Sequence, residues 1–339
     1  MKALSVLDLS PVTTGGSGAT ALRNSLDLAR LADRLGYTRY WVAEHHNLPS
    51  VASSAPDIMI GQIAAVTQRI RVGSGGVMLP NHAPLTVAER FHMLEALFPG
   101  RIDLGLGRAP GTDGATAYAL RSRLDRREGD DFLERLHELT LWETRDFPPN
   151  HPFNNVVAMP DDTPLPPIWL LGSSDYSSEL AAQVGMGFAF AHHFATHDAL
   201  AAMVNYRSHF KPSGWRSTPH AILAVAVVVA ETDAEAEALA SSMDLNRLRR
   251  DRGQYLPLPS VEEALAYPYT ESERASIARN RTRMFVGSPA TVMAKLQPMI
   301  RDSQADEMMV ITAVYDHDVR KKSYSLLADA FGLGKKAAA

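Results

Sequence analysis

Glu44-His45-His46-Asn47 gathers a carboxylate and two imidazoles within four residues. Imidazole titrates near neutrality, so His45 or His46 can act as acid, base or hydrogen-bond donor. His192, His193 and His197 supply further imidazoles, the last two at the i, i+4 spacing of a helix. Zinc is the competing chemistry. However, no His-Glu-x-x-His stands in the chain, and histidine pairs in loops are a weak zinc pattern. The reading therefore assigns no metal, and leaves at least one member of each pair as a satisfied structural histidine.

Gly105-Leu106-Gly107-Arg108-Ala109-Pro110-Gly111 looks at first like a dinucleotide fingerprint, but Pro110 occupies the third glycine position. The run also follows a strand well inside the chain, not one that opens a βαβ unit, so the Rossmann reading is rejected. It offers close backbone approach and one guanidinium. Arg108 either clamps a phosphate through paired hydrogen bonds or pairs with a barrel carboxylate. Gly172-Ser173-Ser174-Asp175-Tyr176-Ser177-Ser178 opens a helix with glycine and hydroxyls. Its free N–H groups suit an anion, while ordinary capping by a serine or Asp175 needs no ligand. Gly73-Ser74-Gly75-Gly76, leading to His82, puts glycines inside a strand, which means either a flat ligand against backbone or tight packing.

These groups need elements to hold them. Short extended runs alternate with helical ones: 3–7, 40–43, 70–79, 102–106, 168–171, 188–190, 221–229 and 308–312 read as strands. Helical periodicity fills the intervals, and Gly36 stands where a C-cap is expected after residues 20–35. Such alternation predicts a parallel sheet covered on both faces, and eight strands favour a closed (β/α)8 TIM barrel over an open sheet. In that barrel the Glu44–Asn47, Gly105–Gly111 and Gly172–Ser178 motifs fall at strands' C-terminal ends, where barrel active sites form. Residues 144–167, rich in Pro, Asp and Asn, read as an insertion with a small hairpin near Val156-Val157. Residues 231–283 read as a second insertion, helical and charged, either a lid or a solvent-facing extension. The prediction is one barrel domain over 1–334 and a short tail, 335–339.

The chain of 339 residues has 45% hydrophobic residues and a net charge of −4, with both signs mixed along it. No basic face is evident, so neither nucleic acid nor an anionic membrane is an expected partner. With no cysteine, disulfides, thiolate metal sites and a cysteine nucleophile are excluded. The longest uncharged apolar stretch, 221–230, is about half of a bilayer span. Asp8 interrupts the first apolar run too early for a signal peptide, and the expected location is cytoplasmic.

Together the four motifs resemble the bacterial luciferase superfamily of flavin-dependent monooxygenases. The resemblance is strong over residues 2–111, through Leu35-Gly36-Tyr37, Trp41-Val42-Ala43-Glu44-His45-His46 and Pro99-Gly100-Arg101-Ile102-Asp103-Leu104-Gly105-Leu106-Gly107-Arg108. It continues through 166–195 and returns at Val286-Gly287-Ser288-Pro289, and is poor over 112–165 and 231–283. It implies a barrel, commonly a homodimer, with reduced FMN at the C-terminal face. His45 matches the family's histidine that serves as base or hydrogen-bonding partner in the oxygen chemistry. Arg108 matches the phosphate-binding arginine. The family's Glu-Ser-x-Ser-Thr phosphate loop falls on Ser173, Ser174, Tyr176 and Ser177, with Ser173 in place of the glutamate. Gly75-Gly76 matches a non-proline cis peptide beneath the flavin ring, and His192 falls where the family has a flavin-contacting aromatic. Luciferase's reactive thiol falls on Gly107.

The resemblance implies a small organic substrate, O2 and reducing equivalents from NAD(P)H, either directly or through a separate flavin reductase. The alternatives are flavin or deazaflavin hydride transfer without oxygen insertion, a non-catalytic flavin-binding protein, and, from the histidine pairs, a zinc hydrolase. The pocket walls are expected from 112–125 and the second insertion.

Overall fold

The computed structural model describes residues 3–121 and 131–334; the tail at 335–339 and part of the expected wall at 122–125 lie outside them. Ten strands are present: β1 (Ala3–Asp8), β2 (Arg39–Val42), β3 (Arg71–Ser74), β4 (Val77–Met78), β5 (Ile102–Gly107), β6 (Ile168–Gly172), β7 (Gly187–Ala191), β8 (Ala221–Val229), β9 (Met284–Gly287) and β10 (Glu307–Ile311). All pair in parallel along the path β10-β1-β2-β3-β5-β6-β7-β8, and β8 pairs β10 to close it. The strand read as 70–79 is broken at a cis Gly75–Gly76 peptide, and both halves, β3 and β4, pair with β5. Counting them as one stave gives the eight-stranded barrel.

Around it lie α1 (Gly18–Leu35), α2 (Pro56–Val66), α3 (Pro84–Leu97), α4 (Gly114–Arg121), α5 (Phe132–Thr144), α6 (Asp175–Val184) and α7 (Ala199–His209). They are followed by α8 (Asp233–Asp251), α9 (Val261–Ala266), α10 (Glu271–Arg281), α11 (Pro289–Ser303) and α12 (His317–Phe331). Gly36 ends α1 in the left-handed conformation, its N–H donating to Ala32 O and Asp33 O, as the sequence predicts. No described helix is long and apolar enough to cross a membrane.

The strands are apolar on both faces because both are buried. Tyr40, Val42, Leu223 and Val225 pack outward against the helices, while Trp41, Ile222, Ala224 and Met309 point into the barrel. The N-terminal end of the barrel is sealed by Trp41, Trp169 and a buried ionic cluster. Arg39 pairs with Asp103 at 2.7 Å and Glu307 at 3.0 Å, and Arg71 pairs with Asp103 at 2.7 Å. Burial alone would raise the Asp103 pKa, but Arg39 and Arg71 more than offset it and hold the carboxyl below its usual range. At the other end the inward residues are small, among them Ala189, Ala224 and Ala226, which leaves open space where the motifs lie.

Residues 145–167 contain turns and no hairpin: Val156 and Val157 are exposed, with no described strand beside them. A two-stranded ribbon without a face to bury has little to hold it. The second insertion is helical, as read. Its α8 lines part of the cavity, and Arg281 of α10 grips Asp244 of α8 with both Nε–Oδ distances at 2.9 Å. Leu258, in the Pro-rich break, bridges to Thr13 beyond β1. β8 overshoots the barrel, and its second half pairs with β9, a strand the sequence reading did not identify.

Candidate active site

A cavity of about 610 Å³ opens among the C-terminal ends of the strands. Of the expected site residues, His45, Gly75, Arg108, Ser173, Ser174, Tyr176 and Ser177 all line it. Gly76 lies at the cis bond just behind Gly75. His192 does not line the cavity; its neighbour His193 does.

The extended chain after β2 turns successive side chains in opposite directions, and so divides the Glu-His-His motif. Glu44 is fully buried away from the cavity. It accepts hydrogen bonds from Met78 N at 2.8 Å and Asn81 Nδ2 at 3.1 Å, with His46 Nε2 at 2.9 Å and His82 Nε2 at 3.0 Å on the same carboxylate. Burial would raise its pKa, yet these partners, His82 foremost, hold it below the usual value. Glu44 thus pins β2 to the segment after β4, and His46 is the satisfied member of the pair.

His45 faces the cavity with Nδ1 3.2 Å from Gly111 O. A carbonyl oxygen only accepts, so Nδ1 carries the proton and Nε2 is left as the acceptor of the neutral ring. Burial drives the His45 pKa down, with Arg250 contributing in the same direction, so the ring is neutral at physiological pH. Gly111 has to be glycine: its φ is +68°, and a Cβ there would lie 2.8 Å from Glu44 O. His193 repeats the arrangement, with Nδ1 3.4 Å from Ala224 O, and burial pushes its pKa down to about 4. Neither Gly111 as the anchor of His45 nor the cavity position of His193 was identified from sequence. Both depend on carbonyls from elsewhere in the chain, Gly111 in the loop after β5 and Ala224 on β8.

On the opposite side, α6 begins at Ser174 without a side-chain cap on its first-turn N–H groups. Capping does occur at α1, α7, α8 and α12, through Ser17, Asp198, Thr232 and Asp316. At α6 the Ser177 hydroxyl instead donates back to Ser174 O at 2.7 Å. Arg108 lies over the Tyr176 ring at 4.5 Å, at the same mouth. Gly172 permits this turn, since a Cβ there would meet the Ser177 hydroxyl. An uncapped helix N-terminus, hydroxyls and a guanidinium form a donor set suited to a phosphate.

Between the two sides the wall is bare backbone at Gly75 and Gly107. A Cβ on Gly107 would approach Met78 Sδ to 2.8 Å. The cavity is of the size usual for a cofactor with a small ligand beside it, roughly 300–1,000 Å³. The residues present therefore fit a flavin that carries a phosphate. Among the described residues no group of three or more His, Asp or Glu is placed to hold a metal ion.

The luciferase-like monooxygenase family model matches residues 3–307. A luciferase-like monooxygenase of Escherichia coli (strain K12) is 43% identical over 96% of this chain and 96% of its own. The N-acetyl-S-alkylcysteine monooxygenase of Bacillus subtilis (strain 168) is 35% identical, covering 98% of this chain and 99% of its own. The crystal structure of apo-MsnO8 superposes with a TM-score of 0.90 at 40% identity, covering 98% and 99% of the two chains. A matching model over most of the chain, a shared closed barrel and full-length relatives agree: the chain belongs to the luciferase-like monooxygenase family, a family of flavin-dependent enzymes.

Proposed function

We propose that the chain is an FMN-dependent monooxygenase that uses reduced flavin and O2 to oxidise a small organic substrate. The observation that carries this reading is the uncapped α6 N-terminus with Ser173, Ser174 and Ser177 beside Arg108, across one cavity from a neutral His45. Arg108, Tyr176 and the three serines hold the phosphate, and the bare backbone at Gly75-Gly76 takes the flat ring. His192, placed off the cavity lining, yields its expected flavin contact to His193. Reduced FMN, when bound, supplies the electrons that let one atom of O2 enter the substrate while the other leaves as water.

The protein's own residues do the rest. Leu7, Leu9, Met284 and Ile311 give the cavity apolar walls that exclude water. His45 Nε2 accepts a proton from the reacting substrate, and the Nδ1–H bond to Gly111 O steadies the imidazolium that results. Reducing equivalents come from NAD(P)H, directly or through a separate flavin reductase. The working form is a homodimer. The relative named for N-acetyl-S-alkylcysteines makes acylated thioether amino acids the first substrates to test.

Two measurements test the proposal. FMN titration should show Arg108→Ala and Ser174→Ala binding at least about tenfold more weakly, the scale of one lost charge-assisted hydrogen bond; unchanged affinity removes the phosphate site. Oxygen uptake with reduced FMN and substrate should give a hydroxylated or sulfoxidised product. Substrate oxidation that proceeds without O2, with oxidised flavin taking up the electrons, would mean hydride transfer instead.

A further inference from the structure

Helix α8 turns Asn246, Arg247 and Arg250 toward the cavity, one to two turns beyond Met243 and Asp244. Asp244 is already occupied by the paired nitrogens of Arg281. Arg247 donates only to a backbone carbonyl, His193 O, at 3.3 Å. Neither Arg247 nor Arg250 pairs with a carboxylate among the described residues. A third guanidinium, Arg283, stands close by and is likewise spent on carbonyls, Phe194 O at 3.1 Å and Ala195 O at 2.9 Å.

Partial burial pulls the Arg247 pKa down, and Arg283 and Arg250 lower it further, against the opposing pull of Asp251 and Asp244. Arg250 also acts on His45, so its charge reaches the proposed base. The phosphate donors lie elsewhere: Arg108 and Ser173–Ser177 follow β5 and β6, whereas α8 follows β8, with β7 between. An anion other than the FMN phosphate is the natural counter-charge for α8. The facing walls, formed by Leu7, Leu171, Ala226, Met284 and Ile311, are apolar.

We infer that the substrate is an organic acid, its apolar body against the barrel wall and its carboxylate or similar oxyanion held by Arg247 and Arg250 beside His45. The inference rests on the flavin monooxygenase reading for the reaction, but not for the binding. Forked guanidinium donors suit a carboxylate, and two of them fix its orientation. That would bring the carbon or sulfur near the acid end into reach of His45 and the flavin ring.

The test is calorimetric, with octanoate, phenylacetate and N-acetyl-S-benzylcysteine each titrated against its own methyl ester, on FMN-loaded enzyme and on flavin-free enzyme. At least one acid should bind about tenfold more tightly than its ester, the scale of a charge-assisted contact. Arg250→Gln should reduce that preference and Arg247→Gln/Arg250→Gln should abolish it, with FMN affinity unchanged. Arg250 is exposed and its side chain makes no hydrogen bond to the described protein, so its single variant is expected to fold. Three results overturn the inference: no acid preferred over its ester, a preference that survives the double variant, or a parallel loss of FMN affinity, which would assign the two cations to the flavin. If FMN fails to bind the unmodified enzyme, the flavin reading fails alone, and the flavin-free acid–ester comparison still decides this one.

Discussion

His45 and His46 are adjacent in sequence and opposite in role. His46 shares the Glu44 carboxylate with His82, whereas His45 keeps Nε2 open by donating Nδ1–H to Gly111 O. A base must be neutral to work, and burial lowers the His45 pKa below its ordinary 6.5. The acid limb of kcat/KM should therefore fall below pH 6.5, with activity flat through neutrality and lost as pH drops through the depressed pKa. His45→Asn should remove that limb and lower kcat/KM by about 10²–10⁴-fold, the usual worth of general base catalysis. His46→Asn should keep the limb. A pH profile of His45→Asn that still shows the same inflection would move the base elsewhere, His193 being the next candidate. The motif itself was legible in the sequence; the division of labour was not. It is set by a carbonyl 66 residues away, and at β7 a one-residue choice of face decides between His192 and His193.

At the scale of elements, glycine placement follows from how closely β3, β4 and β5 approach. The sequence left two readings of Gly73–Gly76, a flat ligand against backbone or tight packing; Gly75 borders the cavity, and a Cβ on Gly73 would lie 2.6 Å from Asp103 O. Gly107 also borders the cavity, whereas a Cβ on Gly105 would sit 2.0 Å from Ser74 O, a backbone atom that cannot step aside. Gly105→Ala should cost about 3 kcal/mol, the upper end of ordinary overpacking. Gly107→Ala meets only the flexible end of Met78 and should cost about 1 kcal/mol. Urea midpoints at equal m-values would compare the two; equal losses would mean that the strands separate to make room. The barrel strands were readable because each is a dense apolar run between turn residues. β9 was not, since Met284–Gly287 is short and follows the charged Arg279–Arg283 stretch. The Val156-Val157 hairpin failed for the converse reason: β-branched residues alone do not make a strand without a partner.

At the scale of the molecule, the outward faces of α2 and α3 keep large apolar side chains exposed after the barrel is complete. Ile58 is 66% exposed, Met93 55% and Leu97 67%, values that a helix flank facing only water does not call for. They belong to one surface. Asp57 of α2 pairs with Arg90 of α3 at 3.0 Å, which draws Ile58 toward Met93, and Leu97 follows Met93 by one helical turn. A second copy of the chain, presenting the same helices across a two-fold axis, would bury these residues against their counterparts. An isologous interface of ordinary size needs about 800 Å² per partner, within reach of two helices of about three and four turns and their flanks. Ile58→Glu/Leu97→Glu would set carboxylates against one another at that axis, so sedimentation should move from dimer toward monomer. FMN affinity should hold, because every proposed cofactor contact comes from one chain and lies at the strand ends instead of on this flank. A dimer that withstands both charges would place the partner on another face.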